Sequence, residues 1–443
     1  MHYIEFINIL IILCLSVSLF IKYWRKVVIL MASILFLVDK RVQSKLKFFD
    51  HLKEYALKKI LVIEEGFEEM GGIPTGCFDE VFVINDISSY SELETVMNEL
   101  MDQNDIQALI ATTENIIEVA GRLRTRFGIQ GMQHNQATSV RNKWVMKEIA
   151  RQHGILSPRI RIASTERELR AYVELIGYPC IIKPVAGWTT IKTYRIEDQA
   201  QFDSFVSDWS ASPQSVLIEE FISGKEFHVD SVISHAEVVF TSVSEYLFNC
   251  LDVIDHQKPL GSIAYPSQAK NELVTRIERF NQSIIRALGI TNSVCHAEIF
   301  VTAEGTLYFG EIAARIGGIA VIPPIVLNTH GVDLFQAAID VELGIYQVDQ
   351  SKQTLKYTGM LSFPSAIGNV KTISSEQDFM TTIEGVVSVT IPVRAGQVLS
   401  GGKDTMSRSG FIVIEGDSFE EVRLRLMQAS ERFQVEIEEE VVL

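Results

Sequence analysis

The chain has 443 residues, enough for two or three domains, and 47% of them are hydrophobic, which excludes a disordered or fibrous protein. Its 40 basic residues against 56 acidic ones give a net charge of −16, the wrong sign for a phosphate-backbone binder, so nucleic acid is set aside as a partner. The five cysteines (Cys14, Cys77, Cys180, Cys250 and Cys295) are widely spaced, with no CxxC pair or zinc-spaced Cys/His cluster, and read as reduced core residues.

In chain order, the first feature is Phe6 to Ile21, nearly unbroken apolar sequence followed by Lys22, Arg25 and Lys26. It lacks the leading charge and small-residue cleavage site of a secretory signal, and it is short of the ~20 residues of a full membrane span. Two readings stay open: a membrane anchor whose basic flank keeps the C-terminal body in the cytoplasm, or a hydrophobic extension packed on the protein or its partner. Both leave the body cytoplasmic. From Lys26 on, strand-like runs (VVILMA or ILFLV, KILVIEE, EVFVIND, IQALIAT) alternate with amphipathic stretches (SKLKFFDHLKEYAL, SELETVMNELMDQN). That alternation marks βαβ units and a parallel sheet, so a small doubly wound domain is expected up to about Gly131.

A helix follows over Thr138 to His153, closed by Gly154. It carries Lys143, and Lys183 ends the strand of YPCIIKPV just before Pro184; either lysine could contact phosphate, or be surface decoration. A helix around Gln199 to Trp209 and the strand SVLIEEFI come next. In EEFISGKEF, extended backbone could present its amides and carbonyls to an adenine edge, and Glu226 could accept from ribose hydroxyls; an ordinary hairpin with solvated acids fits the same residues. The hairpin EFHVDSVISHAEVVFTSVSEY, a loop-like segment from Leu247 to Ser267 and the helix ELVTRIERFNQSIIRALG lead to the most informative stretch, HAEIFVTAEGTLYFGEIAARIGG.

This stretch reads as two strands, His296 to Val301 and Thr306 to Ile312, joined by a two-residue Glu304-Gly305 turn. With Ala303 and Thr306 as the closing pair, Glu298 sits directly opposite Glu311, with Cβ atoms ~4.5–5.5 Å apart, where like charges repel. A hard divalent cation held by carboxylates and substrate phosphates would neutralise them; a solvated sheet edge would carry them as well. Arg315 follows Glu311 by four residues and is suited to bidentate contact with phosphate oxygens, Gly317-Gly318 allows close backbone approach, and His296 shares a strand face with Glu298, where it could orient a substrate or serve as a structural residue. The tail from Leu355 mixes short strands with a final helix and carries no reactive constellation.

Taken together, Lys143, IIKP, EEFISGKEF, HAEIF and GEIAARIGG, in this order, resemble the ATP-grasp carboxylate-amine ligases from Lys26 to the C-terminus, most sharply between Asn142 and Leu343. The resemblance implies an α/β and α+β fold: a hydrophobic segment over 1–25, a Rossmann-like domain over 26–136, an ATP-grasp domain over 137–350 with lobes dividing near 218/219, and a C-terminal α+β region over 351–443 completing the large lobe. It implies that Lys143 and Lys183 contact phosphate, that the backbone of Glu219, Glu220, Phe221 and Ile222 reads the adenine, and that Glu226 holds the ribose. Glu298 and Glu311 would bind Mg2+ or Mn2+, Arg315 and Lys183 would serve the transferred phosphoryl group, and His296, Gly317 and Gly318 would border the substrate.

GSIAYPSQ, HAEIF and EIAARIGG look most like the L-amino-acid ligases that form dipeptides, and Ala313 stands where D-alanine ligases and biotin carboxylases usually have a third metal ligand, an asparagine. The loop after Lys183 departs from the family's glycine-rich flap: it keeps only Gly187 and offers Thr189, Thr190 and Lys192, so fewer amides can approach a phosphate. The expected activity is ATP-dependent formation of an acyl phosphate from an amino acid carboxylate and its displacement by an amine, by a homodimer. The other readings are an ATP-grasp ligase or carboxylase acting on another small acid, and a nucleotide-binding relative without turnover.

Overall fold

The computed structural model describes residues 32–39, 47–66, 75–187, 192–210, 214–256, 258–269, 271–318, 321–349, 354–400 and 408–438. These fall into two compact units divided after His134. Phe6 to Ile21, and the loop residues Thr189 and Thr190, lie outside the described residues. Among the described residues, no helix is long and apolar enough to cross a membrane.

In the first unit, β1 (Ala32–Val38), β2 (Lys58–Glu64), β3 (Glu80–Ile84) and β4 (Asp105–Ala111) form one parallel sheet in the order β3-β2-β1-β4. Every residue of β1 is buried, as a parallel strand covered on both faces requires. Helix α1 (Tyr90–Gln103) starts at a Ser89 cap and buries Leu93, Met97 and Leu100 at helical spacing; α2 (Ile117–Phe127) stops at Gly128, which adopts φ +69°. The expected helix over SKLKFFDHLKEYAL is reduced in its described part to one α-turn, Lys47–Asp50, and a 3-10 turn, Leu52–Glu54, after which Tyr55 is extended. Phe49 packs edge-on against Phe36 and Phe78, so aromatic packing overrides helix propensity here.

The second unit contains two antiparallel sheets that position the site. The smaller comprises β5 (Ile160–Ala163), β6 (Cys180–Pro184), β7 (Tyr194–Ile196) and β8 (Val216–Glu220), in the order β5-β8-β6-β7. Before it, the expected single helix over Thr138 to His153 is interrupted at Asn142. That residue is extended (φ −89°, ψ 105°), and its Oδ1 accepts from the amides of Trp144 and Val145, capping a new helix, α3 (Lys143–Gln152). Asparagine is a strong N-cap, which is why the chain restarts its helix there. Lys143 becomes the first residue of α3.

The larger sheet has eight strands in the order β13-β12-β9-β10-β11-β14-β18-β16. They are β9 (Lys225–Ser234), β10 (Glu237–Tyr246), β11 (Leu260–Ala264), β12 (Ser293–Val301), β13 (Leu307–Ala313), β14 (Tyr357–Pro364), β16 (Val386–Thr390) and β18 (Arg408–Gly416). The segment 247–267, read as a loop, instead holds helix α4 (Cys250–Asp255) and the wholly buried β11. Gly261 and Ser262 disguise this strand; a Cβ on Gly261 would lie 2.8 Å from the Met360 carbonyl oxygen, so the close approach of β14 demands glycine. The C-terminal region adds a third sheet to this unit, of three strands, β15 (Ile367–Ile373), β17 (Val398–Ser400) and β19 (Val435–Ile437), and helix α5 (Phe419–Arg432) buries Val422, Leu426 and Ala429 against β14 and β18 residues.

Candidate active site

Glu298 and Glu311 face each other across β12 and β13, but by a route the sequence does not announce. The Thr302 amide donates to the Thr306 carbonyl (3.0 Å) and the Gly305 amide to the Thr302 carbonyl (2.9 Å), with Gly305 at φ +79°. The connection is therefore a three-residue loop, Ala303 to Gly305, rather than a two-residue turn, and Val301 pairs with Leu307, one residue off the expected register. A bulge at Gly310 then shifts the ladder back, so that Ile299 faces Phe309 while Glu298 faces Glu311. A Cβ on Gly310 would sit 2.8 Å from the Glu298 carbonyl oxygen. The expected pair forms because two offsets cancel.

Along β9, Glu226, His228 and Asp230 alternate onto one face and pair with Phe300, Glu298 and His296 of β12. Glu226, Glu298 and Phe300 of that face line a cleft together with Lys143, Lys183, Glu219 to Ile222 and Glu311. Lys143 Nζ lies 2.5 Å from Glu311 Oε2. Buried Glu219 takes two lysines: Lys147 Nζ at 2.7 Å on Oε1, and Lys183 on Oε2. Lys147 Nζ also donates to the Phe309 carbonyl (2.9 Å), beside the bulge. Lys147, four residues after Lys143 and so on the same face of α3, went unread in the sequence, as did the carboxylate role of Glu219.

The charges in this cluster are strongly perturbed. Burial pushes the Lys147 ammonium below its usual range despite Glu219. Burial opposes ionisation of Glu219 too, but Lys147 and Lys183 outweigh it and hold the carboxyl low; Lys183 is raised because Glu219 and Glu311 overcome its own burial. Of the facing pair, Glu311 is held at about 2, since Lys143 and Lys183 override its burial, whereas burial, Glu226 and Glu311 push Glu298 well above the carboxylate range. Burial raises Glu226 to about 7, against the Cys250 amide that donates to it at 2.7 Å.

Glu226 also anchors α4, because the Asn249 side chain accepts from the Glu226 amide (3.1 Å) and donates to the Gly224 carbonyl (2.8 Å). The Cys250 thiol beside it is raised well above its ordinary pKa by burial and by Glu226, which makes it a poor nucleophile. From the small sheet, Arg195 on β7 reaches Asp252 (2.9 Å) and Asp255 (3.3 Å) of α4, with its guanidinium 5.5 Å from the centre of the Phe221 ring. This bridge between the two sheets had no signal in the sequence.

Beyond the carboxylates, His296 Nδ1 is 2.9 Å from Asp230 Oδ1, and its Nε2 is 4.0 Å from Glu298 Oε1. Arg315 follows the end of β13, donates to the Ile316 carbonyl (3.1 Å) and helps hold His296 below its usual pKa, where burial is the larger cause and Asp230 opposes it. Gly317 packs onto this ring, because a Cβ there would overlap His296 and reach 3.0 Å from Asp230 Oδ1. Gly318 adopts φ +28°, and its missing side chain makes room for Val321 and Ile322. Of the sequence-selected residues, Lys143, Lys183, Glu219 to Ile222, Glu226, Glu298 and Glu311 line one cleft, whereas His296, Arg315, Gly317 and Gly318 are not in its lining, and His296 and Gly317 pack together beside Asp230.

Two family models match the chain: the ATP-grasp domain over residues 176–322 and the L-amino acid ligase C-terminal domain 2 over residues 363–438. An L-arginine-specific L-amino acid ligase of Bacillus subtilis is 25% identical over 332 residues, covering 72% of this chain and 78% of the relative. Dapdiamide A synthase of Enterobacter agglomerans is 26% identical over 348 residues, covering 74% and 78%. Among solved structures, an L-amino acid ligase from Bacillus licheniformis superposes with a TM-score of 0.75 at 19% identity, over 92% of this chain and 99% of that one, a likeness of fold.

Proposed function

We propose that this chain, an ATP-grasp protein with an L-amino acid ligase C-terminal domain, is an ATP-dependent ligase that joins the carboxylate of one amino acid to the amine of another. The observation that carries the reading is the apposition of Glu298 and Glu311 beside Lys143 and Lys183 on the wall of the cleft. The described cluster holds four glutamates, Glu219, Glu226, Glu298 and Glu311, against three lysines, Lys143, Lys147 and Lys183. Glu219 already takes two of these lysines, and the third, Lys143, is at hydrogen-bond distance of Glu311. Crowded carboxyl oxygens, of which burial and the neighbouring acids push Glu298 well above the carboxylate range, fit a hard cation such as Mg2+ or Mn2+ that would take the proton's place, with Glu298 and Glu311 as the ligands. The ion would supply charge neutralisation on the triphosphate.

The remaining work belongs to the chain itself. The backbone of Glu219 to Ile222 borders the cleft where an adenine edge would lie, and Glu226, which lines the same cleft, would accept from ribose hydroxyls. Lys143 and Lys183 would bind the phosphates, and Arg315 the transferred phosphoryl group and the acyl phosphate. The substrate carboxylate oxygen attacks the γ-phosphorus and ADP leaves; the amine nitrogen then attacks the acyl carbon and inorganic phosphate leaves, with one proton lost from nitrogen. Catalysis of this kind rests on positioning and charge stabilisation rather than on a strong base.

Isotope transfer tests the acyl phosphate route. With an amino acid labelled with 18O in its carboxylate, the phosphate released is expected to carry one labelled oxygen per amide formed. Unlabelled phosphate alongside a formed amide would overturn this route.

A further inference from the structure

We infer that Asp230 is a positioning residue that locks the tautomer of His296, so that His296 Nε2 faces the site as a hydrogen-bond acceptor for an N–H of the amine substrate. The amine part rests on the ligase reading; the tautomer part does not. Asp230 is fully buried and gives each carboxylate oxygen its own ring: Oδ2 meets His228 Nδ1 at 2.7 Å, and Oδ1 meets His296 Nδ1 at 2.9 Å. Both contacts are at hydrogen-bond distance, so the buried carboxylate is satisfied as the acceptor of both rings.

An ionised carboxylate can only accept, so both Nδ1 atoms must carry the hydrogen; in a neutral imidazole the other nitrogen is then an acceptor. His228 spends its acceptor inside the sheet, since its Nε2 lies 2.8 Å from the Ser262 hydroxyl. His296 Nε2 instead stands on the face that carries Glu298, 4.0 Å from Oε1 and so beyond hydrogen-bond range of it. Gly317 backs the ring so closely that no side chain could stand there, which restricts its rotation. The buried strand histidine is thereby given one fixed acceptor on the face that carries Glu298.

Two readouts on the full chain separate the parts. In protein labelled with 15N-histidine, at neutral pH, long-range proton–nitrogen correlations distinguish protonated from bare ring nitrogens, and the His296 signals are those lost in His296→Asn. A protonated Nδ1 with a bare Nε2 is expected; a protonated Nε2 on His296 would overturn the proposal, and this readout needs no Asp230 variant to fold. In kinetics, Asp230→Ala is expected to lower kcat/KM for the amine by about 10- to 100-fold, the range for residues that orient an active ligand, with nucleotide affinity within about twofold. Because Asp230 acts through His296, the double variant with His296→Asn should be no slower than His296→Asn alone, whereas losses that multiply would contradict the proposal. A wild type without amine-dependent turnover would sink the ligase reading and the amine assignment with it, while the spectrum would still decide the tautomer.

Discussion

Glu219 answers Lys147 and Lys183 at once in a buried setting. Replacing it by the neutral Glu219→Gln removes the carboxylate in direct contact with two interior ammonium groups and leaves them the more distant Glu311. A loss of about 3–5 kcal/mol is expected, read as a lower denaturant midpoint at unchanged slope. Glu226 behaves in the opposite sense. Its folded pKa of about 7 lies above the ordinary carboxyl value, so the folded chain binds this proton more tightly than the unfolded chain does. That support for folding is present below the ordinary pKa and is lost as pH rises to about 7. Glu226→Gln is therefore expected to stabilise the metal-free protein at pH 8 by roughly 1–3 kcal/mol, with the difference vanishing near pH 4; equal midpoints at both pH values would refute the assignment. At this scale the sequence was only half legible. Carboxylates on apolar strands stood out, while Lys147 looked like one more helical lysine, and Asp230 showed its purpose only once β9 and β12 were paired.

At the scale of elements, Gly310 sets the register that opposes Glu298 to Glu311, and Gly305 only turns the chain. In Gly310→Ala the new Cβ would press on the Glu298 carbonyl at 2.8 Å and on Phe300 at 3.0 Å, so the bulge itself must shift. A fall in nucleotide affinity of at least tenfold is expected, measured by isothermal titration with Mg2+ present. Gly305→Ala, at φ +79° but with only the end of the Arg276 side chain near, is expected to cost about 1 kcal/mol of stability and to leave affinity alone. Equal effects of the two changes on affinity would show that the bulge does not set the site. The hairpin was legible as a hairpin because its strands are apolar and its turn glycine-bearing. Its loop length and its bulge were not, since either can add a residue without disturbing the alternation that the eye follows. The strand β11 was missed for a related reason: Gly261 and Ser262 fit a packed interior but lack the branched side chains that mark a strand.

For the whole molecule, the fold class was the most legible feature. The alternating runs of the first unit do form a parallel sheet, and the second unit has the antiparallel sheets of the ATP-grasp fold. The C-terminal region carries more of the architecture than its lack of reactive residues suggested, because β14, β16 and β18 complete the eight-stranded sheet on which β9 and β12 hold the acids. Periodicity reveals such strands one at a time; which sheet they join depends on contacts far apart in sequence. This assembly is expected to turn over ATP only when an amino acid is present to be activated. The most direct test is ADP formation by the full chain with Mg2+ against pooled amino acids, with Glu311→Ala measured in parallel. ADP release is expected to require both the metal and an amino acid and to fall at least a hundredfold in the variant. ATP bound without amino-acid-dependent turnover, or turnover unchanged in Glu311→Ala, would contradict it.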